Sequence, residues 1–385
     1  MRSVTRRRRT PFAAGPRFPD ILCSALITSL FRDTVSLFLN YQRLAHKPLG
    51  CFAFSGTPAS LAGQIFLFLC YFPCYRPENR EQGAASRGLA FARFSRHLLF
   101  MADQQPGVPE QLEPLVARLL APNPSHFTCT GTQVHLVGTT DLAVIDPGPD
   151  NPEHVAAILS AIDGRRVSAI VITHTHRDHS PGSRPLAAAT GAPIVGCSPL
   201  ALEDLGPRAD ASFDGDYAPD LVLADGESVA GQGWTLTAVA TPGHTSNHLC
   251  FALPETKALF SGDHVMGWST SIVSPPDGDM AAYMASLDKL LSRDDRIYYP
   301  AHGDPVDRPQ RLVRGMLGHR KQREGQILRL LREGPDDIPA MTVKMYVGLD
   351  QRLLPAAERS VLAHLIDLRD RGLVAATGTT WGMAA

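Results

Sequence analysis

The stretch His174-Thr-His176-Arg-Asp178-His179 constrains this chain more than any other part of it. It follows directly on the apolar run 167–173, which reads as a buried strand. Three imidazoles and a carboxylate crowded onto one turn make a poor core and a good cage for two metal ions. Neutral imidazole and carboxylate are ligands that suit Zn²⁺. Alternate positions of an extended loop point the same way, so His174, His176 and Asp178 can share a face, and His179 then turns toward a second site.

A chain of 385 residues has room for two domains, or for one large domain with an appendage. The net charge of −1 conceals an asymmetry. The first hundred residues carry 14 Lys and Arg against 4 Asp and Glu, which leaves 23 against 34 for the rest. The two parts therefore stand at about +10 and about −11. Cysteines divide the same way: Cys23, Cys51, Cys70 and Cys74 precede residue 101, and only Cys129, Cys197 and Cys250 follow it. Three widely spaced cysteines form neither a disulfide framework nor a Cys-x-x-Cys zinc pair. They read as small buried apolar residues, and the compartment as a reducing one, hence cytoplasmic.

Residues 1–100 lack the texture of a domain. A basic run, Arg6 to Arg9, precedes apolar stretches at 21–30 and 61–72, both shorter than the roughly 18 residues of a membrane span. Two readings stay open: an Arg-rich targeting segment, which would make the location mitochondrial, or a start of translation at Met101. On the second reading, removal of residues 1–100 leaves activity intact. No membrane association is expected.

From residue 101 a Pro-rich lead-in runs to about 125. The body then alternates. Strands are expected at 133–137, 142–145, 167–173, 193–196, 234–241, 257–261 and 297–300, and helices at 153–162, 183–190 and 281–291. Residues 133–145 read as a hairpin around Gly138-Thr-Thr-Asp141. Ligand-type residues sit at strand ends, which indicates a layered α/β domain over 101–317 with its site on a loop edge. From 318 to 385 the texture changes. Helices at 321–332, 340–347 and 355–371, followed by a small hairpin around Gly378, make the order of a winged-helix unit.

Three later loops complete the set: Thr241-Pro-Gly-His244, Ser261-Gly-Asp263 and Pro300-Ala-His302-Gly303. Each places one ligand-type side chain on a Gly-containing loop after a β-segment, where glycine lets backbone approach without a Cβ clash. With these residues the chain resembles the metallo-β-lactamase superfamily over about 125–305. The resemblance implies an αββα sandwich and a binuclear site. His174, His176 and His244 would hold one metal, Asp178, His179 and His302 the other, and Asp263 would bridge. Two Zn²⁺ are expected, with Mn²⁺ or Fe²⁺ as alternatives. A metal-bridging hydroxide would be the nucleophile, and Asp178 would accept a hydrogen bond from it and orient its attack.

Other histidines read differently. His248 and His264 look like supports behind the ligands, and His126, His135 and His154 like structural residues. Asp146, before Pro147-Gly148, divides evenly between a turn former and a residue at the site's periphery. The sequence offers no direct evidence on whether Tyr283, Ser269 or Thr270 contacts substrate.

The superfamily supports several hydrolyses, so the substrate needs other evidence. Ala121-Pro-Asn-Pro124, the stretch Thr270 to Asp279 and the segment opened by Pro355 resemble the beta-lactamase-like protein 2 group, whose best-described member is a single-strand-preferring endoribonuclease. Gly131-Thr-Gln-Val-His135 departs from that group's usual Asn and Tyr. The resemblance implies single-stranded RNA as partner and phosphodiester cleavage, with Arg177, Arg320, Lys321 and Arg323 as a local basic patch in an acidic body. The rival is a small thioester substrate, as in hydroxyacylglutathione hydrolases, which share the seven-ligand arrangement. A lesser alternative is a nucleic-acid-binding module with a vestigial site. Lactam hydrolysis is disfavoured, because β-lactamases of the superfamily commonly carry Cys where Asp263 stands.

Overall fold

The computed structural model describes residues 104–200 and 213–384. The readings of residues 1–100 lie outside them. In chain order the elements are β1 (Glu110–Glu113), β2 (Val116–Leu120), β3 (Gln133–Val137), β4 (Asp141–Ile145), α1 (Pro152–Ile162), β5 (Arg166–Ile172), α2 (Ser183–Thr190), β6 (Ile194–Gly196), β7 (Leu221–Val222), β8 (Ser228–Gly231), β9 (Trp234–Ala240), β10 (Leu249–Leu253), β11 (Ala258–Gly262), α3 (Met280–Leu291), β12 (Ile297–Pro300), α4 (Pro309–Glu333), β13 (Asp336–Asp337), α5 (Ile338–Met345), α6 (Leu354–Asp370), β14 (Val374–Thr377) and β15 (Thr380–Met383).

Strands β1 to β7 form one sheet in sequential order, and β12-β11-β10-β9-β8 a second. The strands buried on both faces read as continuous apolar runs, as β4, β10 and β11 do. In β10, Leu249, Phe251 and Leu253 join the core shared with the first sheet, while Cys250 and Ala252 join Tyr283, Leu287, Val313 and Met316 of α3 and α4. Ile158 of α1 and Leu186 of α2 pack with the first sheet. The result is the expected αββα sandwich. Trp234 stitches its sheets together by donating its indole N–H to the Asp141 carbonyl at 2.8 Å.

Helix starts follow their capping chemistry. Asn151 accepts from the His154 amide before α1, and Asp279 from the Ala282 amide before α3. Strand direction then sets the site. β11 and β12 are parallel, and β9 runs the same way because both β9 and β11 are antiparallel to β10. The carboxyl ends of β9, β11 and β12 therefore share one edge. Two backbone bonds bring the first sheet to that edge: Leu249 N–H donates to Thr173 O at 2.8 Å, and Gln133 N–H to Ala301 O at 2.7 Å.

The structure differs from the sequence expectation in several places, and β7, β8 and β10 are strands that the sequence reading did not include. The Pro-rich lead-in contains a β-hairpin, β1 with β2, on the edge of the first sheet. The change of texture at 318 falls inside α4, one uninterrupted helix that belongs to both cores. Its second half packs with α5, α6 and the three-stranded sheet β13-β15-β14 around Ile327, Met341, Leu365 and Trp381. That is the winged-helix unit. Among the described residues no helix is long and apolar enough to cross a membrane.

Candidate metal centre

All seven residues singled out in the sequence meet at the shared edge. One cluster is His174, His176, His244 and Asp263; an adjoining one is Asp178, His179 and His302. In the first, His176 Nδ1 lies 3.1 Å from both His174 Nε2 and His244 Nε2. In the second, Asp178 Oδ2 lies 3.3 Å from both His179 Nε2 and His302 Nε2. Asp263 stands between the groups. Its Oδ2 is 3.6 Å from His244 Nε2 and 3.6 Å from His179 Nε2, and its Oδ1 is 3.3 Å from His302 Nε2.

The remaining ring nitrogens explain why the donors point inward. His244 Nδ1–H donates to the Ile272 carbonyl at 2.7 Å and His302 Nδ1–H to the Gly131 carbonyl at 3.2 Å. His179 Nδ1–H donates to Asp146 Oδ2 at 3.0 Å, and His174 Nδ1 contacts the Thr173 hydroxyl at 3.0 Å. A carbonyl or carboxylate on one nitrogen fixes the tautomer and leaves the other lone pair free to bind a metal. Asp178 Oδ1, Asp263 Oδ1 and His179 Nε2 are buried without a hydrogen-bond partner. Nitrogen lone pairs converging on one point, beside buried unpartnered carboxylate oxygens, fit divalent cations of borderline character.

The electrostatics of the two groups differ. Burial holds His174 neutral, well below its ordinary range, and takes His176 down to about 3. Burial also opposes charge on His302 and His179, but there the carboxylates win. Asp263 and Asp178 push His302 up to about 10 and raise His179 well above its usual value. The same pairing overcomes burial in Asp178 and Asp263 and holds both well below the usual carboxylate range.

The supports are also visible. Asp146 lies under the centre, where its carboxylate accepts from the Thr173 amide (2.9 Å), the Thr173 hydroxyl (2.7 Å) and His179. It is a brace for the site. His248 accepts the Asp263 amide on Nε2 at 3.1 Å, and its Nδ1 meets the Thr241 hydroxyl at 2.9 Å. Gly262 and Gly243 are required by this crowding. A Cβ would stand 2.6 Å from His248 Nε2 at the first and 2.3 Å from the Tyr283 backbone at the second, and both residues have positive φ.

Asn123 and Thr132 lie in stretches quoted in the sequence reading, but neither was given a role at the site. Asn123 donates to the Thr132 hydroxyl at 2.9 Å, which leans on Asp178 at 3.4 Å. Nothing in the spacing of these common polar residues signals that role.

His264 is fully buried against Tyr283, and His135 sits edge-on to Phe260 between the sheets. His154 is buried on α1, and His126 is exposed. The Tyr283 hydroxyl donates to the His264 carbonyl at 3.2 Å, so this side chain is spent internally, whereas Ser269 and Thr270 are half-buried in the loop after Asp263.

The expected basic patch does not assemble as read. Arg320 is 3% exposed and committed to protein partners, and Arg323 is engaged with Met345 O, Gln326 and the Tyr346 ring. The reason is helix phase: Arg320 continues the buried stripe of Val313, Met316 and Leu317 on α4. Arg177 is exposed beside the cage, and Lys321 is exposed on α4.

A layered sandwich with a buried His/Asp cage on one edge defines a metal-dependent hydrolase, and comparison with known proteins agrees. Residues 127–302 match the metallo-beta-lactamase superfamily, and 338–381 the beta-lactamase associated winged helix domain. A beta-lactamase-like protein 2 homolog of Drosophila melanogaster is 32% identical over 275 residues, covering 67% of this chain and 88% of that protein. An atrochrysone carboxyl ACP thioesterase of Cryptosporiopsis sp. is 33% identical over 230 residues, covering 58% of this chain. The chain spans 65% of that thioesterase's length. A solved beta-lactamase domain protein from Burkholderia ambifaria superposes with a TM-score of 0.61 at 20% identity, over 74% of this chain and 96% of that one. The chain belongs to the metallo-beta-lactamase superfamily, among relatives that include the beta-lactamase-like protein 2 homologs.

Proposed function

We propose that this chain is a binuclear hydrolase that cleaves thioesters. His174, His176 and His244 would hold one ion, Asp178, His179 and His302 the other, and Asp263 would touch both. An all-nitrogen-and-oxygen set favours Zn²⁺, with Mn²⁺ or Fe²⁺ as alternatives. Bound ions would supply Lewis acidity toward a carbonyl oxygen and lower the pKa of a water to about 7. Asp178 Oδ1, buried and unpartnered, is suited to accept a hydrogen bond from that water and aim it. Asp146 and the carbonyls of Ile272 and Gly131 keep the imidazoles oriented throughout.

The leaving group carries the choice of substrate. Among the described residues, no imidazole outside the cage is available to protonate one. His248 is occupied on both nitrogens, and His264 is fully buried against Tyr283. A thiolate departs unassisted, since its conjugate acid has a pKa of about 8.5. An alkoxide needs more help, because an alcohol lies nearer to water's pKa of about 15.7. A relative named as an acyl-carrier-protein thioesterase supports the same reading.

Phosphodiester cleavage of single-stranded RNA is the second reading. Arg177 favours it, an exposed cation beside the cage with no hydrogen bond or ion pair among the described residues. The winged helix lends it less. α6 corresponds to the helix that enters the groove in helix-turn-helix proteins. Its Arg359, Leu362, Ile366 and Asp367 instead line a cleft of about 490 Å³ against Pro275 and Met280 of the catalytic domain.

The test is turnover by the metal-loaded full chain on S-lactoylglutathione and an acyl-pantetheine thioester, beside a fluorescent single-stranded RNA, each with and without EDTA. Chelator-sensitive thioester hydrolysis without RNA cleavage is expected. RNA cleavage with inert thioesters would reverse the order of the two readings.

A further inference from the structure

The winged-helix unit reaches the metal centre through the segment that follows Asp263. The Ile272 carbonyl in that segment orients His244. The preceding carbonyl, Ser271 O, accepts from Arg320 Nη2. Arg320 Nη1 in turn donates to the Ser360 hydroxyl of α6 at 3.2 Å, and its guanidinium lies 5.2 Å from the Tyr283 ring centroid. Arg359, the neighbour of Ser360, reaches the Pro275 carbonyl and the Ser274 hydroxyl. Thus the segment 271–275 is held at its start by α4 and at its end by α6.

We propose that Arg320 is a positioning residue for the metal centre, linking the winged-helix unit to His244 through the peptide between Ser271 and Ile272. The inference rests on His244 being a metal ligand as read above. An arginine 3% exposed is costly to bury, and although its Nε stays unpartnered, both terminal nitrogens are bonded. Here a planar fork meets two acceptors on two different elements at once, which a lysine cannot do with the same geometry. Arg320 anchors the chain just before Ile272 and Arg359 anchors it at Ser274 and Pro275, so the Ile272 carbonyl is restrained between two held points, and with it the plane of the His244 ring. On this account the winged helix is an internal brace of the hydrolase, and α6 is held against the catalytic domain because the centre needs it there.

The test uses the full chain, titrated with Zn²⁺ against a chromophoric chelator and with Co²⁺ by visible absorption. Arg320→Met is expected to weaken one of the two equivalents about 10–100-fold, the range seen when an outer partner of a metal ligand is lost. It should shift the Co²⁺ bands in the same sense as His244→Ala, which loses that equivalent altogether. Arg320→Lys should recover part of the affinity, and Ser360→Ala should cost a few-fold. Native affinity for both equivalents and unchanged Co²⁺ bands in Arg320→Met would overturn the proposal. If Arg320→Met lacks a cooperative thermal transition, Ser360→Ala decides, and unchanged metal affinity there overturns it equally. Retention of both equivalents by His244→Ala would instead refute the assignment of His244.

Discussion

Asp263→Ala is expected to abolish hydrolysis, with a loss of about 10³-fold or more in kcat, while the chain stays folded. The carboxylate stands 3.6 Å from a donor of each group and 3.3 Å from His302, so its removal opens both halves of the cage at once. The loss should exceed the roughly 10–100-fold typical of removing a partner that only supports a ligand. His176→Ala should be comparably severe, because its Nδ1 is the point on which His174 and His244 converge. Neither side chain belongs to the three apolar clusters that hold the fold. Circular dichroism and thermal melting close to native, beside absent turnover, are the expected pair of observations. Native turnover in either variant would exclude the proposed binuclear mechanism.

The second large effect falls on a residue whose sequence reading was evenly divided. Asp146→Asn should cost as much as Asp146→Ala, about 10–100-fold in metal affinity. The aspartate offers acceptors on both oxygens. Oδ1 takes the Thr173 amide, and Oδ2 takes the Thr173 hydroxyl and His179 Nδ1–H. An asparagine supplies a single oxygen. In one amide orientation its N–H groups face the Thr173 amide; in the other they face His179 Nδ1. The second case drives the His179 proton to Nε2 and blocks the lone pair that faces the cage. An unmet buried donor costs about 1–3 kcal/mol besides, so both variants should also melt earlier. Competition against a chromophoric chelator measures the affinity. An Asp146→Asn protein that binds metal as tightly as the native one would show that Asp146 is only a turn former.

The cage was legible because so dense a run of ligand-type side chains is rare outside metal sites. Four ligand-type side chains within six residues cannot pack into a core, and each later ligand sits beside a glycine after an apolar strand. Strands buried on both faces, such as β4 and β11, were legible as apolar runs, since no alternation is needed where neither face meets water, but the five-residue run of β10 was missed. The β1–β2 hairpin was hidden because Pro106 and Pro109 suggested irregular chain just before it. The continuity of α4 was hidden for a different reason: its first half packs on the second sheet and its second half on α5 and α6, so the apolar stripe changes partners without a break in the helix. Arg320 shows the limit most plainly. A guanidinium on an apolar stripe reads as solvated until the carbonyl and the hydroxyl that receive it are seen, and both come from distant segments. Asn123 and Thr132 lie in stretches that the sequence marked only by likeness to a group, and only the loop's path shows that they reach Asp178.

The central claim is that one edge of this sandwich holds two ions in adjoining groups that share Asp263. The most direct measurement is the metal content of the full chain after equilibration with Zn²⁺ and removal of loosely bound metal, for native protein and Asp263→Ala together. The account predicts two equivalents per chain in the native protein and a clear deficit in the variant. A native chain that retains one equivalent or none, or a variant that retains two, would contradict it.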